Sequence, residues 1–307
     1  MSQCTAQLTA AVAGASVLQS GCLEAARHGA SRAVMPCPDS PALLPDPQTR
    51  QAVDDKVVCA VMCCCKDNPV AGSDGQSLQQ VCVHQVFDTA DRLLGYRSRY
   101  KSEISYNMRP EQGGPPVPFM HRDGSGADTT EPSRYWRGRA NEEIRGFRGG
   151  QGLVRRPDLV IVDDPSRPPA QGNIERVMEM KFGRDPRDRF QDRAYRDIAG
   201  SDKRYQVFRT GGTPQQDDEH LCNCGDERAR EQVRELAAFA PQPERSIWPA
   251  LGWSALVVAG AVATVALAAL PLDGPAGEAA AGAGTAAAFA RARAAWAALT
   301  AAPLGAP

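Results

Sequence analysis

Residues 174–182, Ile-Glu-Arg-Val-Met-Glu-Met-Lys-Phe, constrain the fold more than any other stretch of the chain. Read as a strand, they place Met178, Met180 and Phe182 on one face and Val177, Glu179 and Lys181 on the other, because side chains alternate along a strand. A second apolar run, Leu159–Asp163 (LVIVD), precedes them and reads as a buried strand. The polar break DPSRPPAQGN between the two suits a hairpin with an enlarged loop.

Around this pair the chain alternates further. Residues 133–148 (SRYWRGRANEEIRGFR) fit a helix with Ser133 as N-cap. At about 100° per residue, Trp136, Ala140, Glu143, Ile144 and Phe147 share one face, so Glu143 points with the apolar residues and Glu142 away. A carboxylate on such a face needs a partner or a route to water at the rim. A helix near residues 188–199 carries an apolar stripe of Phe190, Ala194 and Ile198, with Gln191 and Tyr195 on an adjacent one. Residues 203–210 (KRYQVFRT) read as a third strand. Helix, strand, strand, helix, strand outlines a small α/β core.

The rest is uneven. Residues 1–56 are rich in Ala and Pro, with one or two short helices expected before residue 35 and a linker over 36–50. Residues 57–65 (VVCAVMCCC) are a strand or a buried helix, which periodicity cannot separate. A helical pattern begins near Ser77 and strengthens from Asp88, with Leu93, Tyr96, Tyr100 and Ile104 on one face and Glu103 at its flank. Arg109 to Ser133 reads as a long Pro/Gly loop. Residues 216–245 are expected to be a polar linker. Residues 246–272 carry no charge, long enough for a transmembrane helix, for which about twenty apolar residues suffice. Residues 273–307 form an Ala/Gly-rich tail.

Net charge is −1, which excludes a whole-chain argument for a polyanionic partner. Locally, seven arginines against two glutamates lie between Arg134 and Arg156, a patch that suits phosphate backbones or a solvated face. The ten cysteines include Cys63-Cys64-Cys65, Cys59, Cys82 and the pair Cys222 and Cys224. A zinc site completed by His84 or His220, buried thiols, or a disulfide in an exported protein are the open readings. Residues 5–18 are apolar with no positive segment before them, so export would need a route that reads no cleaved signal.

Asp158 heads the first strand and Glu179 lies within the second, so their side chains can meet at a shared edge. Carboxylates suit Mg²⁺ or Mn²⁺, and Lys181 beside Glu179 is placed to orient a water or stabilise developing negative charge. The ordered set Pro157-Asp158, Glu179-Met180-Lys181, then Gln191 and Tyr195 resembles the PD-(D/E)XK nuclease superfamily. It resembles most the VRR-NUC branch found among antibacterial effectors of type VI secretion systems. VMCCCKDNP, YKSEISYNMRP, PFMHRDGSG and SRYWRGRA are also similar to that group.

The resemblance implies a restriction-endonuclease-like core, a small mixed sheet flanked by helices, over residues 57–215. It implies a metal-dependent DNase in which Asp158, Glu179 and the Met180 carbonyl hold Mg²⁺ or Mn²⁺. Lys181 would position the attacking water, and Gln191 would organise the site or approach the phosphate. A glutamate from a preceding helix commonly completes such sites. Glu143 is the candidate by its facing, with Glu103 the alternative. Arg139, Arg155, Arg156 and Tyr195 would contact DNA, mainly through phosphates and with little sequence preference. The same resemblance implies a cognate immunity protein, and a secretion apparatus or chaperone as further partners. Rival readings are a DNA-repair or phage-defence nuclease with the same site, and a membrane-perturbing protein acting through residues 246–272.

Overall fold

The computed structural model describes residues 2–19 and 46–240, apart from 74, 75, 112, 213, 215 and 217. The apolar run 246–272 and the tail 273–307 lie outside the described residues. Among those described, no helix is long and apolar enough to cross a membrane.

The architecture is mixed α/β. Its centre is a five-stranded sheet built from β1 (Tyr100–Ser102), β2 (Leu159–Val162), β3 (Ile174–Phe182), β4 (Tyr205–Thr210) and β5 (Glu219–Cys222). The spatial order is β5-β4-β3-β2-β1. β2 runs antiparallel to β3 and β1, while β4 is parallel to β3 and β5 to β4. The expected hairpin is therefore present, and the parallel β3–β4 crossover is made by helix α5 (Arg189–Ala199). Asp188 caps α5 by accepting from the Phe190 N–H. Gly200 ends it at φ 77°, a left-handed position that suits a residue without Cβ.

Alternation along β3 divides the core as its pattern requires. Met178, Met180 and Phe182 join Leu159, Ile161 and Phe208 beneath α1 (Gln3–Gln19), α2 (Pro47–Asp67), α3 (Gln79–Leu93) and α6 (Glu227–Glu235). Val177 faces the other way, with Val160, Val162 and Val207 against Tyr195 and Ile198 of α5. Helix α4 (Trp136–Glu143) lies apart, with Ala140 and Ile144 packed on Phe119 in a small cluster of their own.

Several boundaries fall elsewhere than the sequence pattern placed them. The helical run through Tyr100 and Ile104 stops at Leu93, because Gly95 (φ 59°) and Tyr96 (φ 60°) reverse the chain. Tyr100 then enters the sheet edge. The expected long loop contains a hairpin, Met120–Arg122 with Asp128–Pro132. The division at 56/57 falls inside α2, and the linker expected over 216–245 supplies β5 and α6. α2 is a core helix. Its Asp46 cap accepts from Gln48 and Thr49, and its Asp54 takes Arg99 at 3.5 Å and Arg176 at 3.1 Å.

Of the cysteine readings, zinc and buried thiols are corrected, while disulfide pairing is present and goes beyond a single bridge. All eight described cysteines are bridged, Cys4–Cys64, Cys59–Cys222, Cys63–Cys224 and Cys65–Cys82, so none retains a thiolate for zinc. Three adjacent cysteines on a helix point in three directions about 100° apart. They therefore tie α2 to α1, to α3 and to the segment after β5.

Candidate active site

Strand register assembles the acidic residues. Leu159 pairs with Met178, so the next step along the antiparallel ladder sets Asp158 opposite Glu179. Ser102 pairs with Leu159 on the other side, and the next step sets Glu103 opposite Asp158, where the Glu103 N–H donates to the Asp158 carbonyl at 3.2 Å. Three acids thus stand at one level on neighbouring chain segments. Glu103 holds φ 50°, a left-handed backbone that a side-chain-bearing residue seldom adopts and that clusters at functional positions.

Because β2 pairing ends at Met178, the edge of β3 beyond it is open. The Met180 N–H donates to Asp158 Oδ2 at 2.7 Å. The Met180 carbonyl accepts from Gln80 Nε2 at 3.4 Å. Gln80, Val83, His84, Glu103, Asp158 and Met180 line a small recess here. Glu179 is 1% exposed, and its Oε1 lies 2.6 Å from Lys181 Nζ. Its Oε2 is buried with no hydrogen-bond partner.

Electrostatics sharpen the pair. Burial first, and then the charge of Glu179, push the Asp158 carboxyl well above the carboxylate range, against the pull of the Met180 N–H and Lys181. Burial also raises Glu179, opposed by Lys181. Two like charges this close in a protein interior call for a proton or a cation between them. Among the described residues no group of three or more His, Cys, Asp or Glu side chains is arranged to hold a metal. The donors present are two carboxylates, one of them with an unsatisfied buried oxygen, and an edge carbonyl. That set fits Mg²⁺ or Mn²⁺, which keep several waters and need only one or two protein carboxylates.

Gln191 and Tyr195 do meet, one helical turn apart on α5. Gln191 Nε2 donates to the Tyr195 hydroxyl at 2.9 Å, and that hydroxyl donates to the Arg156 carbonyl at 2.7 Å. The expectation that Tyr195 contacts DNA is corrected, since its ring is 2% exposed in the core. It clamps the backbone immediately before Pro157-Asp158, and Gln191 acts through it.

Glu143 is likewise corrected. Its Oε1 is held by Arg139 Nε at 2.9 Å and Arg122 Nη2 at 2.9 Å. The apolar face of α4 packs on its own small cluster and not on the sheet, so facing that way does not mean facing Asp158. Glu103 is the acid that reaches the site. Arg139, expected to bind DNA, is 13% exposed and committed to Glu143, Asp128 and the Met120 carbonyl, with its guanidinium 5.5 Å over Phe119. Arg155 is half-buried in the short strand Val154–Arg155, and Arg156 is exposed, 3.5 Å from Glu103. Arg134, Arg137, Arg145 and Arg148 are exposed.

The sequence reading missed Gln80 and Ser102, and it raised His84 only as a zinc ligand and not as a neighbour of Asp158. Their signal is faint, an i, i+4 polar pair flanking the buried stripe Val83, Val86, Phe87 and Ala90 of α3. Comparison of the chain with protein-family models, with curated proteins and with solved structures finds no match.

Proposed function

We propose that the chain is a metal-dependent DNA endonuclease that hydrolyses phosphodiester bonds with little sequence preference, built on a restriction-endonuclease-like core of the PD-(D/E)XK, VRR-NUC kind. The observation that carries this reading is the Asp158–Glu179 pair, with the unpartnered Glu179 Oε2 and Lys181 beside it. Surface ion pairs have no need of an orphaned buried carboxylate oxygen. A cation site does.

Asp158, Glu179 and the Met180 carbonyl would hold Mg²⁺ or Mn²⁺. When bound, the ion supplies charge neutralisation of the phosphate and lowers the pKa of its water. The chain's own groups do the rest. Lys181 Nζ, held by Glu179, keeps a donor at the site for the attacking water or the developing negative charge. Tyr195 and Gln191 fix the backbone that carries Asp158. Arg156 and the exposed arginines of the 134–148 segment hold the backbone phosphates, which explains weak sequence preference.

The biological setting proposed is an antibacterial toxin delivered by a type VI secretion system into target cells, paired with an immunity protein in the producer and met there by a chaperone or the secretion apparatus. The disulfides favour an exported protein over a DNA-repair or phage-defence nuclease, because disulfides persist in oxidising compartments. They do so only weakly. The test is degradation of plasmid DNA by the purified full chain with Mg²⁺ or Mn²⁺, with and without EDTA, beside Glu179→Ala and Lys181→Ala. Metal-dependent cutting that both variants lose supports the reading. Intact plasmid, or cutting by the variants equal to wild type, sinks it.

A further inference from the structure

One wall of the recess has no task in the reading above. Gln80 and His84 of α3 stand one turn apart and border it with Val83, Glu103, Asp158 and Met180. Gln80 is committed to the Met180 carbonyl. His84 is differently placed. Its Nδ1 meets Ser102 Oγ at 2.9 Å, and among the described residues no protein group engages its Nε2. Ser102 of β1 holds the ring, and the Cys65–Cys82 bridge ties the helix that carries it to α2.

A serine hydroxyl can give or accept, so Ser102 alone leaves the choice of tautomer open. With Nδ1 taken up by Ser102, Nε2 is the ring nitrogen left for a ligand in the recess that Glu103 and Asp158 also line. Where Ser102 donates to Nδ1, the proton sits on Nε2, and that is the tautomer the role below requires. The recess is thus bordered by Glu103, Asp158, Met180 and a ring nitrogen that the described residues leave unengaged.

We propose that His84 is a further substrate-contacting residue, whose Nε2–H is donated to a non-bridging oxygen of the phosphodiester cut at Asp158 and Glu179. The proposal rests on the nuclease reading. It assigns the anion's orientation to an imidazole that Ser102 holds through Nδ1.

The experiment compares full-length wild type, H84A, H84Q and S102A on a labelled DNA duplex with Mn²⁺, reading kcat and KM alongside the thermal midpoint. One hydrogen bond to a charged oxygen predicts a loss of about 10- to 100-fold in kcat/KM for H84A. H84Q, whose amide N–H sits where Nε2–H was, recovers most of that loss, and S102A falls between. Nitrogen-15 spectra of the wild-type imidazoles, with the same duplex in EDTA, show Nε2 protonated and shifting on DNA addition. Active wild type with an equally active H84A overturns the role of His84 and leaves the nuclease standing. An H84A and H84Q loss of equal size with lowered midpoints makes the residue structural, and a proton found on Nδ1 likewise overturns the proposal. Wild type that leaves DNA intact with either ion overturns both.

Discussion

Asp158 lies opposite Glu179 across the β2–β3 ladder, one step beyond the Leu159–Met178 pair, and its Oδ2 accepts the Met180 N–H at 2.7 Å. Register alone therefore brings together two carboxyls that sequence separates by all of β2, a ten-residue polar excursion and the first half of β3. Their closeness has consequences that can be measured.

Both carboxyls are raised in the folded protein. The native state then binds more protons than the unfolded chain between the ordinary carboxylate range, near about 4, and the raised values. Stability from this source is fully present below that range and is lost as pH rises through the folded values. In EDTA, the thermal midpoint should fall as pH rises above the ordinary carboxylate range, and Mg²⁺ or Mn²⁺ should offset part of the fall. Asp55 and Asp91 are also raised by burial, so the pair's share is the difference between wild type and Asp158→Asn. A pH profile identical in the two proteins would count against the pair.

Asp158→Asn removes one of two opposed charges while an amide oxygen can still accept from Met180. Cleavage should drop by at least about 100-fold, as for loss of an electrostatic group at a reacting centre. The metal-free variant should nevertheless be as stable as wild type at about pH 8, or more so, because like-charge repulsion has been relieved. Urea unfolding in EDTA measures it. A variant both inactive and clearly less stable would show that Asp158 serves the fold first.

Glu103 and Glu143 separate cleanly. Glu103→Gln, in register with Asp158, should lower cleavage by about tenfold or more, given typical losses on removing a positioned polar group. Glu143→Gln touches only the ion pairs with Arg122 and Arg139. It should leave cleavage within about twofold and cost no more than about 1 kcal/mol, the range for partly exposed pairs. Reversed effects would restore Glu143 as the site's acid.

Tyr195→Phe deletes the hydroxyl that holds the Arg156 carbonyl. The expected cost is about 1 kcal/mol of stability, the net value of one hydrogen bond. Because the clamp acts on placement of Asp158, kcat should fall while DNA affinity, measured in EDTA, stays unchanged. A variant that loses affinity instead would return Tyr195 to the DNA-contacting surface.

The Cys65–Cys82 bridge pins α3 at the turn that carries Gln80 and His84. Replacing both cysteines by Ser should destabilise the chain by about 3 kcal/mol, the value for a loop of this length. It should also loosen the recess wall, so hydrogen exchange over residues 79–93 should rise more than the global change explains. Exchange that rises uniformly would make the bridge a general staple with no special relation to the site.

Local pattern was enough for much of this molecule. The period-two run of β3, the apolar β2 before it and the capped amphipathic α5 are written in residues a few positions apart, and they place Glu179 with Lys181 and Gln191 with Tyr195 on shared faces. What short-range pattern could not carry was anything set by pairing between distant segments. The three-segment register that selects Glu103 over Glu143, the use of α1 and α2 as core, and four disulfides with separations up to 163 residues each depend on which chains lie side by side. A helix face reports that a side chain is turned inward, but not toward which interior. Tertiary packing decided that. It gave α4 a cluster of its own and left the open edge of β3 at Met180 to Asp158 and to Gln80 and His84 of α3.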